Sequence, residues 1–343
     1  MANGAVLFSK LVMKKEATYA GGADTDFATG GRRMTVTPTG AVSLGIEYDT
    51  GEDRTVGLRT PVVASRVTQT AVNPEVTIDA PAVTTDDLAV WFAMLEKTSG
   101  GTPSGTAAPY TWSRAIGMDS STNAPQSYAA IIEDGNQSFY VSGILPTTLT
   151  VNAEASGLTS LSLSAFAKSV AKTSQSTGTA TLPTDARGLA GRLWQASYGT
   201  AFLSAGTAGG TAFTHLFDWS LEVNTGIAPI NAQAGTVTLS DYHQFAAAFG
   251  GTLSLTVASN PTAVAQLYDK LGTKTFWRLH WQDAASPQHS ADLLVCAVPT
   301  SVDVVSGDNE GIVTYAVELA LAYDETSAGV FTYQVKNNLT ALP

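Results

Sequence analysis

Apolar and polar residues alternate with period two across Gly143–Ala167, GILPTTLTVNAEASGLTSLSLSAFA. Leu149 and Val151 lead out, Glu154 to Gly157 supply a turn, and Leu161, Leu163 and Ala165 lead back. Alternation on both sides of a Gly/Ser-containing turn predicts two half-buried antiparallel strands. The pattern returns over Cys296–Tyr323. Pro146–Thr147 recurs as Pro299–Thr300, and Leu149 and Val151 recur as Val302 and Val304. After one inserted residue, Leu161, Leu163 and Ala165 recur as Tyr315, Val317 and Leu319.

Other blocks recur in the same order. Leu88, Trp91, Phe92 and Leu95 are spaced i, i+3, i+4, i+7 and predict a helix over Thr85–Lys97. Val264, Leu267, Tyr268 and Leu271 repeat that spacing within Asn260–Leu271, with Asn260 as cap, Pro261 at the first helical position and Gly272 beyond the end. A short alternating strand precedes each helix, at Val76 and Ile78 and at Leu253 and Leu255. Glu47–Gly51 (EYDTG) is echoed by Glu222–Gly226 (EVNTG). Four blocks in one order predict tandem homologous domains.

The fold expected is mainly β: two β-sandwich or barrel domains, each with one flanking helix. The first spans 1–168, with a loop insertion over about 96–126. The polar stretch 169–188 reads as a linker, and the second domain spans 189–343, ending in an arm over 324–343 with its own alternation (Val330, Tyr333, Val335).

Charged residues make up only 14% of the 343, below the usual quarter, and Ser, Thr, Ala and Gly replace them. Such a surface suits a protein that buries much of its outside in an assembly, or a β-rich domain with a Ser/Thr exterior. The net charge of −11 argues against affinity for nucleic-acid phosphates. The single cysteine, Cys296, excludes an internal disulfide and reads as a buried thiol. The first residues lack a basic stretch before their short apolar run, so neither a secretion signal nor membrane insertion is expected.

Catalytic constellations are weak. His280, His289, Asp283 and Asp292 invite a metal reading, but their spacing fits no ligand pattern and the first repeat lacks them. Neither a nucleophile elbow nor a phosphate-binding glycine loop occurs, so no enzyme activity and no cofactor is expected. The six tryptophans are scattered over helix and strands, which favours core packing over a sugar-binding platform.

Each copy runs polar loop, strand, helix, strands and closing hairpin, in an acidic chain rich in Thr, Ala and Gly. That organisation resembles the major tail tube proteins of long-tailed, non-contractile bacteriophages, in the form with two tube domains fused in one chain. The resemblance covers nearly the whole chain and rests on architecture and composition. It implies a virion protein made in the host cytoplasm. Its domains would close rings by intermolecular sheet pairing, three chains giving pseudo-sixfold symmetry, and the rings would stack into a tube that conducts double-stranded DNA without binding it specifically. The partners implied are further copies of the chain, a tape-measure protein, and a tail-terminator or tail-tip protein. Two polar excursions would touch the next ring, through Glu52, Asp53, Arg54 and Arg59 and through Ile227, Ile230, Asn231 and Gln233. The N-terminal arm and the C-terminal tail (Val330, Phe331, Tyr333) would add further ring-to-ring contacts. The other readings are a carbohydrate- or cell-surface-binding β-sandwich module and another filament-forming subunit.

Overall fold

The computed structural model describes residues 10–19, 27, 30–34, 39–49, 68–95, 103–105, 107–115, 126–133, 137–174, 188–202, 210–214, 216–230, 241–243, 246–283, 285, 288–309, 311–327 and 329–341. The chain is mainly β. Its first half supplies β1 (Lys10–Lys15), β2 (Arg32–Arg33), β3 (Thr39–Ser43), β4 (Ile46–Asp49), β5 (Thr68–Val72), β6 (Glu75–Ala80), helix α1 (Thr85–Ala93), β7 (Tyr110–Ala115), β8 (Tyr128–Glu133), β9 (Ser138–Glu154), β10 (Ser160–Phe166) and β11 (Ser169–Thr173). The second half supplies β12 (Trp194–Gly199), β13 (Thr211–Phe213), β14 (Leu216–Asn224), β15 (Ala228–Ile230), β16 (Asp241–His243), β17 (Gly250–Ala258), helix α2 (Pro261–Gln266), β18 (Thr275–Gln282), β19 (Ser290–Asn309), β20 (Ile312–Leu321) and β21 (Phe331–Asn337).

Two long strands tie the layers together. Residues 138–144 of β9 pair with β8 and residues 138–142 with β11, whereas Leu145 onward pairs with β10 and then β14. The bend falls at Gly143, whose φ of +66 suits glycine. Its N–H donates to both carboxylate oxygens of the buried Glu16 at 3.2 Å. Strand β19 behaves alike, pairing with β18 and β21 over its first part and with β20 from Ala297 on. One layer therefore runs β3-β6-β10-β9-β14-β17-β20-β19, eight antiparallel strands. Across from it lie β2-β1-β8-β9-β11 and β13-β12-β18-β19-β21-β7. The alternating apolar residues meet between the layers. Ile78, Leu149, Leu163, Leu253 and Val317 share one buried cluster with Met13, Ala130, Leu279 and Leu293. Each of the Val, Leu, Ile and Met side chains contributes about 1.5–3 kcal/mol when fully buried.

Several local features occur twice. Ser164 faces Thr148 while Ala165 faces Pro146, and Glu318 faces Ser301 while Leu319 faces Pro299. The extra residue of each bulge, Thr147 or Thr300, donates its hydroxyl to the carbonyl of Ser164 (2.9 Å) or Glu318 (3.2 Å). A bulge is where a strand tolerates proline, which has no N–H for the ladder. Gly45 (φ +54) and Gly226 (φ +72) each turn the chain out of the large sheet into a two-stranded ribbon, β4–β5 or β15–β16. Their carbonyls accept from the N–H of Asn73 (2.9 Å) and Ala247 (3.2 Å). The structural counterpart of Gly226 is thus Gly45, not Gly51. The EYDTG/EVNTG echo is one of letters, since Glu47 lies in ribbon β4 and Glu222 in sheet strand β14.

The helices differ from the expected pair. Helix α1 is capped by Thr84, whose hydroxyl accepts from the Asp87 N–H at 3.1 Å, and it is buried on every side rather than along one stripe. Helix α2 ends at Gln266, and a 3-10 turn over Tyr268–Lys270 follows. Leu267 is buried, but Tyr268 and Leu271 are exposed, so the predicted stripe stops there.

What buries α1 is the pairing of two segments that lie outside the repeated blocks. Strand β7, from the presumed insertion, pairs with β21, from the presumed arm. Phe92 stacks on Tyr333 with ring centroids 5.0 Å apart, and lies 5.5 Å from Phe331. Asn337 accepts from the Trp112 indole N–H at 3.1 Å and donates to the Thr85 carbonyl at 3.1 Å. The linker likewise begins as strand β11, and β1 is sandwiched between β2 and β8 rather than free.

Candidate functional site

The eight-stranded sheet has a core face and a second face of distinct chemistry. Glu75, Thr77 and Asp79 on β6, Ser162 and Ser164 on β10, and Thr148, Thr150, Asn152 and Glu154 on β9 point away from the core. Asp218, Ser220 and Glu222 on β14, Thr252, Ser254 and Thr256 on β17, Glu318 on β20 and Asp303 on β19 continue it. These positions hold seven carboxylates and no lysine or arginine. Several are tied down, with Ser162 donating to Asp79 at 2.6 Å and the Asn224 amide donating to Glu222 at 2.9 Å.

Within this sheet the halves of the chain meet edge to edge. Residues 218–224 of β14 pair with 148–154 of β9, Leu221 facing Val151. Thr148 donates to Asn224 at 2.8 Å across the seam. At its end the Thr225 N–H donates to the Thr147 carbonyl (3.0 Å), and the Thr225 hydroxyl donates to the Pro146 carbonyl (2.7 Å). Ile227, just beyond Gly226, is buried against Leu145 and Phe166, with Tyr19 and Tyr242 packed alongside. The two tyrosine rings meet edge to face at 4.8 Å. Burial first, then the Asp241 carboxylate, pushes both phenols upward, so both stay neutral at physiological pH.

The two outermost strands carry the counterparts of this seam. Among the described residues, β3 pairs only with β6, and the stretch Ser301–Asn309 of β19 pairs only with β20. Val302 faces Val317 as Leu149 faces Leu163, which makes Val304 the counterpart of Val151. Val151 is 1% exposed and Val304 51%; Ile227 is 7% exposed and its counterpart Ile46 37%. Leu44, Tyr48, Val305, Ile312 and Val313 are exposed close by. The same backbone edges are dry where the chain joins itself and apolar but open where it does not.

Of the expected contact residues, Glu52, Asp53, Arg54, Arg59, Asn231 and Gln233 lie outside the described residues. Ile227 is in the seam cluster and Ile230 is half-buried in β15. Val330, Phe331 and Tyr333 lie in the core of the chain itself, so the assignment of these three to a surface contact is corrected. Sequence reasoning missed Leu44, Ile46 and Val305, because an exposed apolar residue looks like a core residue until the strand order is known.

The histidine region proves to be an ion-pair cluster. Buried Asp292 accepts from Arg278 Nε at 2.7 Å and lies 2.8 Å from His280 Nδ1. Burial raises the Asp292 carboxyl, but the bonds from His280 and Arg278 outweigh it and hold the group below the usual range. All six tryptophans are buried, and Cys296 is buried too, its thiol pushed up to about 11 chiefly by desolvation. No protein-family model and no curated protein matches this sequence.

Proposed function

We propose that this protein is a self-assembling structural subunit, two tandem homologous β-sandwich units in one chain, that builds the tail tube of a long-tailed bacteriophage. The observation that carries this reading is the internal seam, formed by the same two kinds of edge that stand open at the ends of the sheet. A second copy placed head to tail brings β19 of one chain to β3 of the next. Such a contact is heterologous, so it generates a ring if the rotation closes. Three chains of eight strands give a closed 24-stranded barrel with no free edge. Its lumen is lined by the carboxylate, serine and threonine face, which repels a polyanion and lets DNA pass without holding it. Ribbons β4–β5 and β15–β16 leave the sheet at one level, where stacked rings meet. All six tryptophans are buried, so none of them offers a face to a sugar.

Negative-stain electron microscopy of the purified chain, before and after concentration, tests the proposal. Rings or hollow tubes of uniform width are expected. A protein that stays monomeric at every concentration refutes it.

A further inference from the structure

Strand β19 departs from its counterpart β9 at one place. Between Asp303, which faces Ala316, and Gly307, which faces Thr314, four steps on β19 answer two steps on β20. Val305 sits in the excess with φ +65, a conformation that a β-branched side chain adopts only under constraint. The Ser306 hydroxyl donates to the Thr314 carbonyl at 3.0 Å and pins the bulge. On β9 the corresponding stretch is regular and is paired on both sides, by β10 and β14.

The period-two pattern asks for something else. With the bulge removed, Val304 faces Tyr315 as Val151 faces Leu161, and its side chain turns from solvent toward the core face. The excess residues pass into the turn near Gly311, whose φ of +87 already belongs to a tight reversal. The alternation of the strand thus favours a register other than the one observed here.

We propose that the Val304–Ser306 bulge is a catch that holds this edge in a shape unable to pair, and that docking of the β3 edge of a second copy releases it by drawing β19 straight. The inference rests on the self-assembly reading above. A bulge twists a strand and leaves residues outside the ladder, which is how a free edge is kept from pairing indiscriminately. The catch makes the first junction slow, and a neighbour already in register speeds the next.

The test compares wild type with two variants by light scattering, with electron microscopy of the products. Deleting Val305 and Ser306 leaves Val304 opposite Tyr315 and Gly307 opposite Thr314, a straight strand with the same tip. Its assembly lag is expected to disappear. Val305→Gly relieves the left-handed valine and settles the bulge, and is expected to slow the onset by about tenfold. Assembly of the deletion variant alone also supports the catch. If wild type assembles and neither variant changes the lag, the catch is wrong while the assembly reading stands. If neither wild type nor the deletion variant assembles, and melting shows both folded, both proposals fall.

Discussion

Replacing Ile46 and Ile227 in turn by alanine separates assembly from folding, because the two occupy equivalent places beside Gly45 and Gly226 but different surroundings. Ile227 is 7% exposed and packed on Leu145 and Phe166, so Ile227→Ala removes buried atoms and leaves a cavity, at a cost of about 2–4 kcal/mol. Ile46 is 37% exposed, and Ile46→Ala is expected to alter monomer stability by no more than about 0.5 kcal/mol. If a second copy covers Ile46 as the chain covers Ile227, exposure falls from 37% to 7% at each junction. That is roughly a third of a full burial, about 0.5–1 kcal/mol per junction. Over the three junctions of the proposed ring, this would weaken ring formation by about 10- to 100-fold. Denaturant unfolding reads the first effect, and the threshold concentration for sedimentable assemblies reads the second. An Ile46→Ala chain that melts like Ile227→Ala, or that assembles at the wild-type threshold, refutes the equivalence of the two edges.

Phe331→Ala uncovers Phe92 and α1 and should cost about 3–5 kcal/mol, seen as a lowered denaturation midpoint. Asp292→Asn should be less stable than wild type at pH 7 by about 3–5 kcal/mol, because Arg278 stays buried without its anion. The folded carboxyl lies below its unfolded value, so its contribution is complete above about pH 4 and fades as acid titrates it. The gap between variant and wild type in urea midpoints should therefore narrow on going from pH 7 toward pH 2. Cys296 should react with a thiol reagent only on unfolding, since it is buried and its thiol is pushed up to about 11; rapid labelling of the native chain contradicts the packing.

The hairpins were legible in the sequence because each has one dry and one wet face. Leu149, Val151, Leu161 and Leu163 are all buried where the alternation puts them. The paired proline bulges were legible as recurring letters. Strand order was not, since β7 and β21 are local patterns whose pairing joins distant parts of the chain. The tail's Val330, Tyr333 and Val335 alternate for a reason, but alternation does not say which sheet receives them. The spacing of Leu88, Trp91, Phe92 and Leu95 predicted one apolar face for α1, yet even Asp86 is buried, paired with Arg32 at 3.0 Å. The open edges were illegible for a related cause: Val304 and Val151 have the same pattern and opposite fates, and what distinguishes them is that β14 pairs beside Val151 while Val304 sits at a bulge on an edge paired only with β20.

The pairing of β7 with β21 also sets a clock on synthesis. Strand β7 ends at Ala115 and its partner begins at Phe331. At about 5–20 residues per second, some 10–40 s separate the emergence of the two. During that interval Phe92 and its neighbours on α1 lack the cover that Phe331 and Tyr333 supply. In a nascent chain the packing around α1 is therefore completed only once β21 has been made, long after β7 and the helix itself.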